Sequence, residues 1–366
     1  MTLQRQILFW LACLSGFIGF VWLFHTILTP FVAALILAYL MDPLVDRLEK
    51  LGLSRTMATA GGLVIFLIVF VLAVLAVAPL LFNQLSAFIA KAPEYVQRLQ
   101  TLLAENGGWI IERIGGPERL QEIRTQLGAS AGEAAKLAGG FVTSLLSGGQ
   151  VLVSILSLLV LTPVIAFYLV IDWDHMIAKV DGWLPRRQAP TIRQLAREMD
   201  QSVADFLRGQ ALLCFLLGLF YAIALSVAGL HFGFIIGILT GILSFIPYVG
   251  SLTGFMLSMG VAVAQFWPDW MMIIVIAVIF GVGQFLEGNV LQPRLLGHAL
   301  GVHPVWLMFA LLAFGSLFGF VGVMLAVPLA AIIGVLVRFA LRQYLASPLY
   351  SGTGAPVRPA SPETDA

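Results

Sequence analysis

Between Ala211 and Val337 the chain carries only three formally charged side chains, Asp269, Glu287 and Arg294. A helix or sheet folded in water keeps one polar face, and a stretch this long with three charges has too few polar residues to build one. Upstream the same pattern recurs as apolar runs of fifteen to twenty-five residues. Such runs cross or deeply enter a hydrocarbon core of ~30 Å. Over all 366 residues, 60% are hydrophobic and 11% charged, about half the charge of a soluble domain. The chain is therefore read as an all-α polytopic membrane protein. A net charge of +1 argues against a nucleic-acid partner. Cys13 and Cys214 both lie in apolar runs, which suggests neither a disulfide framework nor a zinc site.

Eight candidate membrane segments follow: residues 7–28, 30–48, 57–82, 151–171, 211–229, 232–267, 270–286 and 304–345. The first has the charge order of a signal peptide, but no small-residue cleavage site follows, so a retained span is expected. Two segments are too long for one crossing. A single helix over 232–267 would measure ~54 Å, and 304–345 is longer still. Proline removes a backbone donor and glycine tolerates unwound geometry, so Pro247 with Gly250, and Gly315, Gly319 and Gly322, mark the expected breaks. Each long segment is then either a re-entrant hairpin or a pair of tilted spans.

The organisation expected is an N-terminal set of membrane helices (1–82), an extracytoplasmic helical segment (83–150), one transmembrane helix (151–171), a cytoplasmic amphipathic segment (172–210), a membrane core with broken helices (211–345) and a disordered tail (346–366). Phe82, Leu85, Phe88, Ile89, Tyr95, Val96, Leu99, Leu102 and Leu103 recur at helical spacing in the outer segment, and Pro117-Glu118 opens a second short helix. Residues 191–209 give the inner amphipathic helix. Arg47, Lys50 and Arg55, then Lys179, Arg186, Arg187, Arg193, Arg197 and Arg208, then Arg338 and Arg342, place their segments inside, with both termini cytoplasmic.

The candidate pathway residues are Gln284, Glu287, Asn289, Gln292 and Arg294, with Tyr248 at the first break. An ionisable group within a membrane domain is a functional hypothesis by default. Counting from the interfacial turn at Trp267, Asp269 and Trp270, however, puts Glu287 ~26 Å along, near the opposite face. Two readings stand: a transport carboxylate, or an interfacial anchor. Pro293 is expected to break the helix there, and Arg294 to hold Glu287 ionised in one state. Glycines at 233, 237 and 241 suit close helix packing, internal in preference to an oligomer interface. His298 and His303 are five apart and have no acidic or cysteine partner for a metal. No nucleotide-binding loop or hydrolase motif is present, so neither enzyme activity nor a cofactor is expected, and transport would be passive or gradient-driven.

Taken together the motifs resemble the autoinducer-2 exporter family, the PerM-like permeases, over residues ~7–341. They are Pro30-Phe31, Ala38-Tyr39-Leu40 and Pro43; Pro163, Phe167-Tyr168 and Asp172; Gly209-Gln210; Ile246-Pro247-Tyr248-Val249-Gly250; Glu287-Gly288-Asn289-Val290-Leu291-Gln292-Pro293; Gly297 and His303-Pro304; and Phe318-Gly319-Phe320-Val321-Gly322 through Val327-Pro328-Leu329. Ser251 departs from the family, which often has proline there. The resemblance implies about eight transmembrane helices, homo-oligomers, no ATP, and export of autoinducer-2 in some members or sodium–proton exchange in others. Pro328 joins the hinge candidates. The expectation is a secondary transporter of the bacterial inner membrane in which the two breaks face one another and Glu287, Asn289 and Gln292 line the cavity. Its partners would be the bilayer and a small solute, sodium ion or proton. The rivals are a cation–proton antiporter and a non-transporting scaffold.

Overall fold

The computed structural model describes residues 27–106, 149–296 and 303–347, together with 16, 19, 23, 24, 125 and 350. The described elements are all helical: α1 (Leu28–Lys50), α2 (Arg55–Asn106), α3 (Gly149–Gly182), α4 (Ala189–Val227), α5 (Gly233–Leu243), α6 (Val249–Phe266), α7 (Trp270–Leu286), a π-helical segment (Glu287–Leu291), α8 (Gln292–Leu295) and α9 (Pro304–Leu345). Among the described residues seven helices are long and apolar enough to cross a membrane. The protein is an all-α, multi-pass membrane protein. The expected span at 7–28 and the tail, apart from a few residues of each, and the short helix after Pro117 lie outside the described residues.

The helices are longer than the sequence suggests. The amphipathic stretch from Phe82 onward is no separate element, because α2 runs unbroken from Arg55 to Asn106 through Pro79 and Pro93. Likewise the stretch 172–210 divides between the end of α3 and the start of α4. A change from apolar to amphipathic composition marks where a helix leaves the bilayer, and the backbone hydrogen bonds need not stop there.

Two compact units make up the chain. The first holds Thr26–Trp173 and Arg208–Leu295. In it Ala34 and Leu37 of α1, Leu63 of α2 and Ala166 of α3 form one core, extended by Val45, Ala58 and Val170. The side chain of Arg55 donates to the Val170 carbonyl at 3.3 Å, pinning the start of α2 to α3. Side chains such as Val64, Ile68 and Leu72 remain exposed, as suits a lipid-facing surface.

The α4–α5 hairpin turns at Gly229, whose positive φ of 72° ends α4. Leu230 N–H donates to the Leu225 carbonyl and Gly229 N–H to that of Ser226, closing the helix end. The returning helix lies against α4 through its glycine stripe: a Cβ at Gly233 would strike Leu225, at Gly237 Ala222, and at Gly241 Gly218. The stripe is internal packing, as expected. Outside it, the C-terminal half of α2 grips the turn. Gln84 accepts from Ile235 N–H at 3.2 Å, Tyr95 Oη bonds His231 Nδ1 at 3.1 Å, and Phe88 and Tyr95 meet Phe232 edge-on. Burial there, followed by the Glu94 charge, raises the Tyr95 phenol above its ordinary pKa.

The expected break in 232–267 is present. α5 stops at Leu243, Tyr248 takes a left-handed conformation (φ 67°), and α6 begins at Val249. Eleven residues of α5 reach only ~16 Å, a half-length arm, whereas α6 reaches ~27 Å. α6 and α7 join at Trp267–Asp269, where the Asp269 carboxylate accepts from the N–H groups of Met271 (3.1 Å) and Met272 (3.4 Å).

The second unit comprises Met1–His25, Asp174–Leu207 and Leu296–Ala366. Arg193 binds Asp181 in a two-point fork, at 2.6 and 2.8 Å. Its α9 is interrupted at Gly319 (φ 60°, ψ −139°). A Cβ on Gly322 would strike the Phe314 carbonyl, and one on Gly315 would meet Val323 at 2.9 Å. Residues eight apart lie ~12 Å apart along a straight helix, so the chain doubles back here into two arms. Pro328 sits inside the second arm without a break of its own.

Candidate functional site

α7 leaves the Asp269 turn as a regular helix, and its backbone pattern changes at Glu287. From Glu287 to Leu291 the hydrogen bonds widen to the π pattern, and the Gln292 N–H reaches the Glu287 carbonyl five residues back. Pro293 is the local cause we assign. Its ring lacks an N–H and crowds the carbonyl four residues earlier, and one wide turn relieves both conflicts. Pro293 therefore does not break the helix as expected, and α8 continues to Leu295.

The wide turn gathers polar side chains around one carboxylate. Gln284 Nε2 donates to Glu287 Oε2 at 2.9 Å, and Gln292 Nε2 donates to Oε1 at 3.4 Å. Asn289 turns away and donates to the Phe285 carbonyl at 3.2 Å. Glu287 is half-buried, and Arg294 is exposed. The two form no ion pair; the groups bonded to the carboxylate are neutral amides. The pattern i, i+3 and i+8 of Gln284, Glu287 and Gln292 becomes a cluster only because the turn between them is wide.

Tyr248, 55% exposed, neither hydrogen-bonds nor ion-pairs with Glu287. Gly250, in the first turn of α6, lies against Ser244, where a Cβ would strike the Ser244 backbone, so it holds the break closed. Gly315, Gly319, Gly322 and Pro328 belong to the second unit.

Sequence reading passed over the buried polar groups of α4, α5 and α6. Gln210, 4% exposed, donates to the Ser244 carbonyl at 2.7 Å and ties α4 to the broken end of α5. Thr240 and Ser244 are buried and donate to the carbonyls one turn back. Tyr221 and Ser258 are fully buried, and neither hydroxyl has a partner. The only sequence signal for these residues is a polar side chain in an apolar run, which a lone serine or threonine meets cheaply by bonding its own helix. Beside them, Cys214, Phe215, Gly218, Leu219, Ile238 and Ile242 line an apolar recess of about 210 Å³, unsuited to a polar solute. Among the described residues, no three His, Cys, Asp or Glu side chains converge as a metal site.

Comparison with known proteins adds an independent finding. The profile of one family, described as AI-2E family transporter, matches residues 11–342. The chain is 28% identical over 322 residues to "Putative transport protein YrrI" of Bacillus subtilis (strain 168), covering 87% of each chain. It is 28% identical over 335 residues to "Putative permease PerM" of Escherichia coli (strain K12), covering 88% of this chain and 90% of that one. A third relative, "Putative transport protein sll0063" of Synechocystis, is 29% identical over 329 residues, 87% of this chain and 78% of that one.

Proposed function

Since this chain belongs to the AI-2E family of transporters, we propose that it is a secondary transporter that exports a small polar solute such as autoinducer-2. In this reading it is no enzyme, sits in the bacterial inner membrane with both termini cytoplasmic, and works as a homo-oligomer. The observation that carries the reading is the Glu287 carboxylate, half-buried in a membrane-spanning helix and held by Gln284 and Gln292 alone. Ionisable groups at such positions mark substrate and ion pathways, and π-helical turns concentrate at functional sites. Neutral amides leave the carboxylate its full charge for a visiting ligand. A hydroxylated solute donates to Glu287 while Gln284 and Gln292 supply further donors and acceptors. The break at Pro247 and Tyr248, tied to α4 by Gln210, is the hinge by which α5 and α6 move. Arg294, exposed about two turns beyond, takes no part in holding the carboxylate.

The same bare carboxylate favours a second reading, sodium–proton exchange with Glu287 as the coupling group and no organic solute. Both are tested in proteoliposomes under imposed proton and sodium gradients, with and without autoinducer-2. A sodium jump that moves protons without solute selects the exchanger; gradient-dependent autoinducer-2 flux selects the exporter. Glu287→Gln abolishes whichever is ion-coupled. Flux unchanged in Glu287→Gln and in Gln292→Ala removes the site assignment.

A further inference from the structure

The hydroxyl of Tyr221 is out of place in an apolar core. The residue is fully buried, and its Oη has no hydrogen-bond partner. The ring is tightly held, stacked on Phe280 with centroids 4.6 Å apart. The hydroxyl end presses on Gly283, where a Cβ has no room. Gly283 immediately precedes Gln284, whose side chain is close enough to interact with that hydroxyl. Yet the Gln284 amide donates to Glu287, at 2.9 Å. The one amide group thus lies beside two acceptors and is bonded only to the carboxylate, the hydroxyl being left without a partner.

We propose that Gln284 is a two-position donor, bonded to Glu287 while the carboxylate is bare and turning to Tyr221 Oη once Glu287 carries a proton or a cation. Tyr221 is then a positioning residue for the site, and the inference rests on the reading of Glu287 as the ligand-carrying group. The physical reason is competition. A hydrogen bond to an ionised acceptor is roughly twice as strong as one between neutral groups, so the bare carboxylate wins the amide. A proton or cation on Glu287 cancels that advantage. The buried hydroxyl, costly to leave unpaired, then decides the position. Because Tyr221 stands on α4 and Gln284 on α7, the exchange carries the state of the site from one helix to another. Among the described residues α5 and α6 carry no titratable side chain, and Tyr221 and Cys214 are the titratable groups of α4 that lie toward Glu287.

The test is an infrared pH titration of the full chain in nanodiscs. The carboxylic acid band of Glu287 is assigned by its loss in Glu287→Gln. Tyr221→Phe keeps the ring packing and removes the alternative acceptor, so the acid form loses its support. The midpoint should fall by roughly half a unit to one unit relative to the unaltered protein. In a Gln284→Leu background the same change should do nothing further. An unchanged midpoint in Tyr221→Phe, an equal shift with Gln284 absent, or no Glu287 band at any pH overturns the proposal. Failure of the transport reading is distinguishable: it shows as wild-type flux in Glu287→Gln, whatever the infrared midpoints do.

Discussion

The side-chain amide of Gln210 donates to the backbone oxygen of Ser244 across 2.7 Å, joining the body of α4 to the residue that caps α5. The last carbonyls of a helix have no partner within it, and a broken helix at membrane depth has no water to supply one. Gln210→Leu is therefore expected to cost ~1–3 kcal/mol by stranding that carbonyl. Gln210→Glu, which keeps the shape but no longer donates when ionised, should do no better. Thermal unfolding in detergent measures both, and a melting temperature unchanged in either variant counts against the tie.

Gly237 and Gly260 offer a paired test of the stripe. A Cβ on Gly237 runs into the Ala222 backbone, whereas one on Gly260 meets nothing within 4 Å. Overpacking of this kind costs ~1–3 kcal/mol, and more where both partners are backbone. Gly237→Ala should lower the yield of monodisperse protein and its melting temperature, with Gly260→Ala matching the parent. Equal behaviour of the two would refute the close α4–α5 approach.

Gly319 adopts φ 60°, ψ −139°, a region that side chains avoid. Gly319→Ala should cost ~1–3 kcal/mol in backbone strain. Gly322→Ala adds a collision with the Phe314 carbonyl and should be at least as damaging. Gly52, also at positive φ but in an open turn with nothing within 4 Å, serves as the comparison: alanine there should cost less than at Gly322. Chemical or thermal unfolding ranks the three.

Pro293→Ala separates stability from activity. Restoring the N–H lets the wide turn close to ordinary α geometry, so stability should hold or rise, by at most ~3 kcal/mol. Tightening the turn pulls Gln292 out of register with Glu287, and flux should fall. A variant with full flux and unchanged stability would mean that the π turn is indifferent to the proline.

How much of this was readable in the sequence differs by feature. Helix type, the Pro247 break and the glycine stripe were all legible, because each rests on a local rule of length, proline or glycine chemistry. Glu287 stood out as a charge in an apolar region, but its partners did not. Opposite charge pointed to Arg294, and the wide turn delivers Gln292 instead. Pro293 was read as a stop because periodicity offers no way to foresee a π turn. Gln210 and Tyr221 were invisible as site residues: their meaning lies in Ser244 and Gly283, 34 and 62 positions away along the chain.

The unbroken α2 has a mechanical consequence. Its 52 residues measure ~78 Å, well over twice the thickness of the hydrocarbon core. It is a lever: a tilt of about five degrees at the Arg55 end swings the Asn106 end through roughly 7 Å. Gln84 and Tyr95 couple that swing to the α4–α5 turn at His231 and Ile235. Whatever pushes on the Asn106 end of α2 is geared down onto the half-length arm that ends at Leu243.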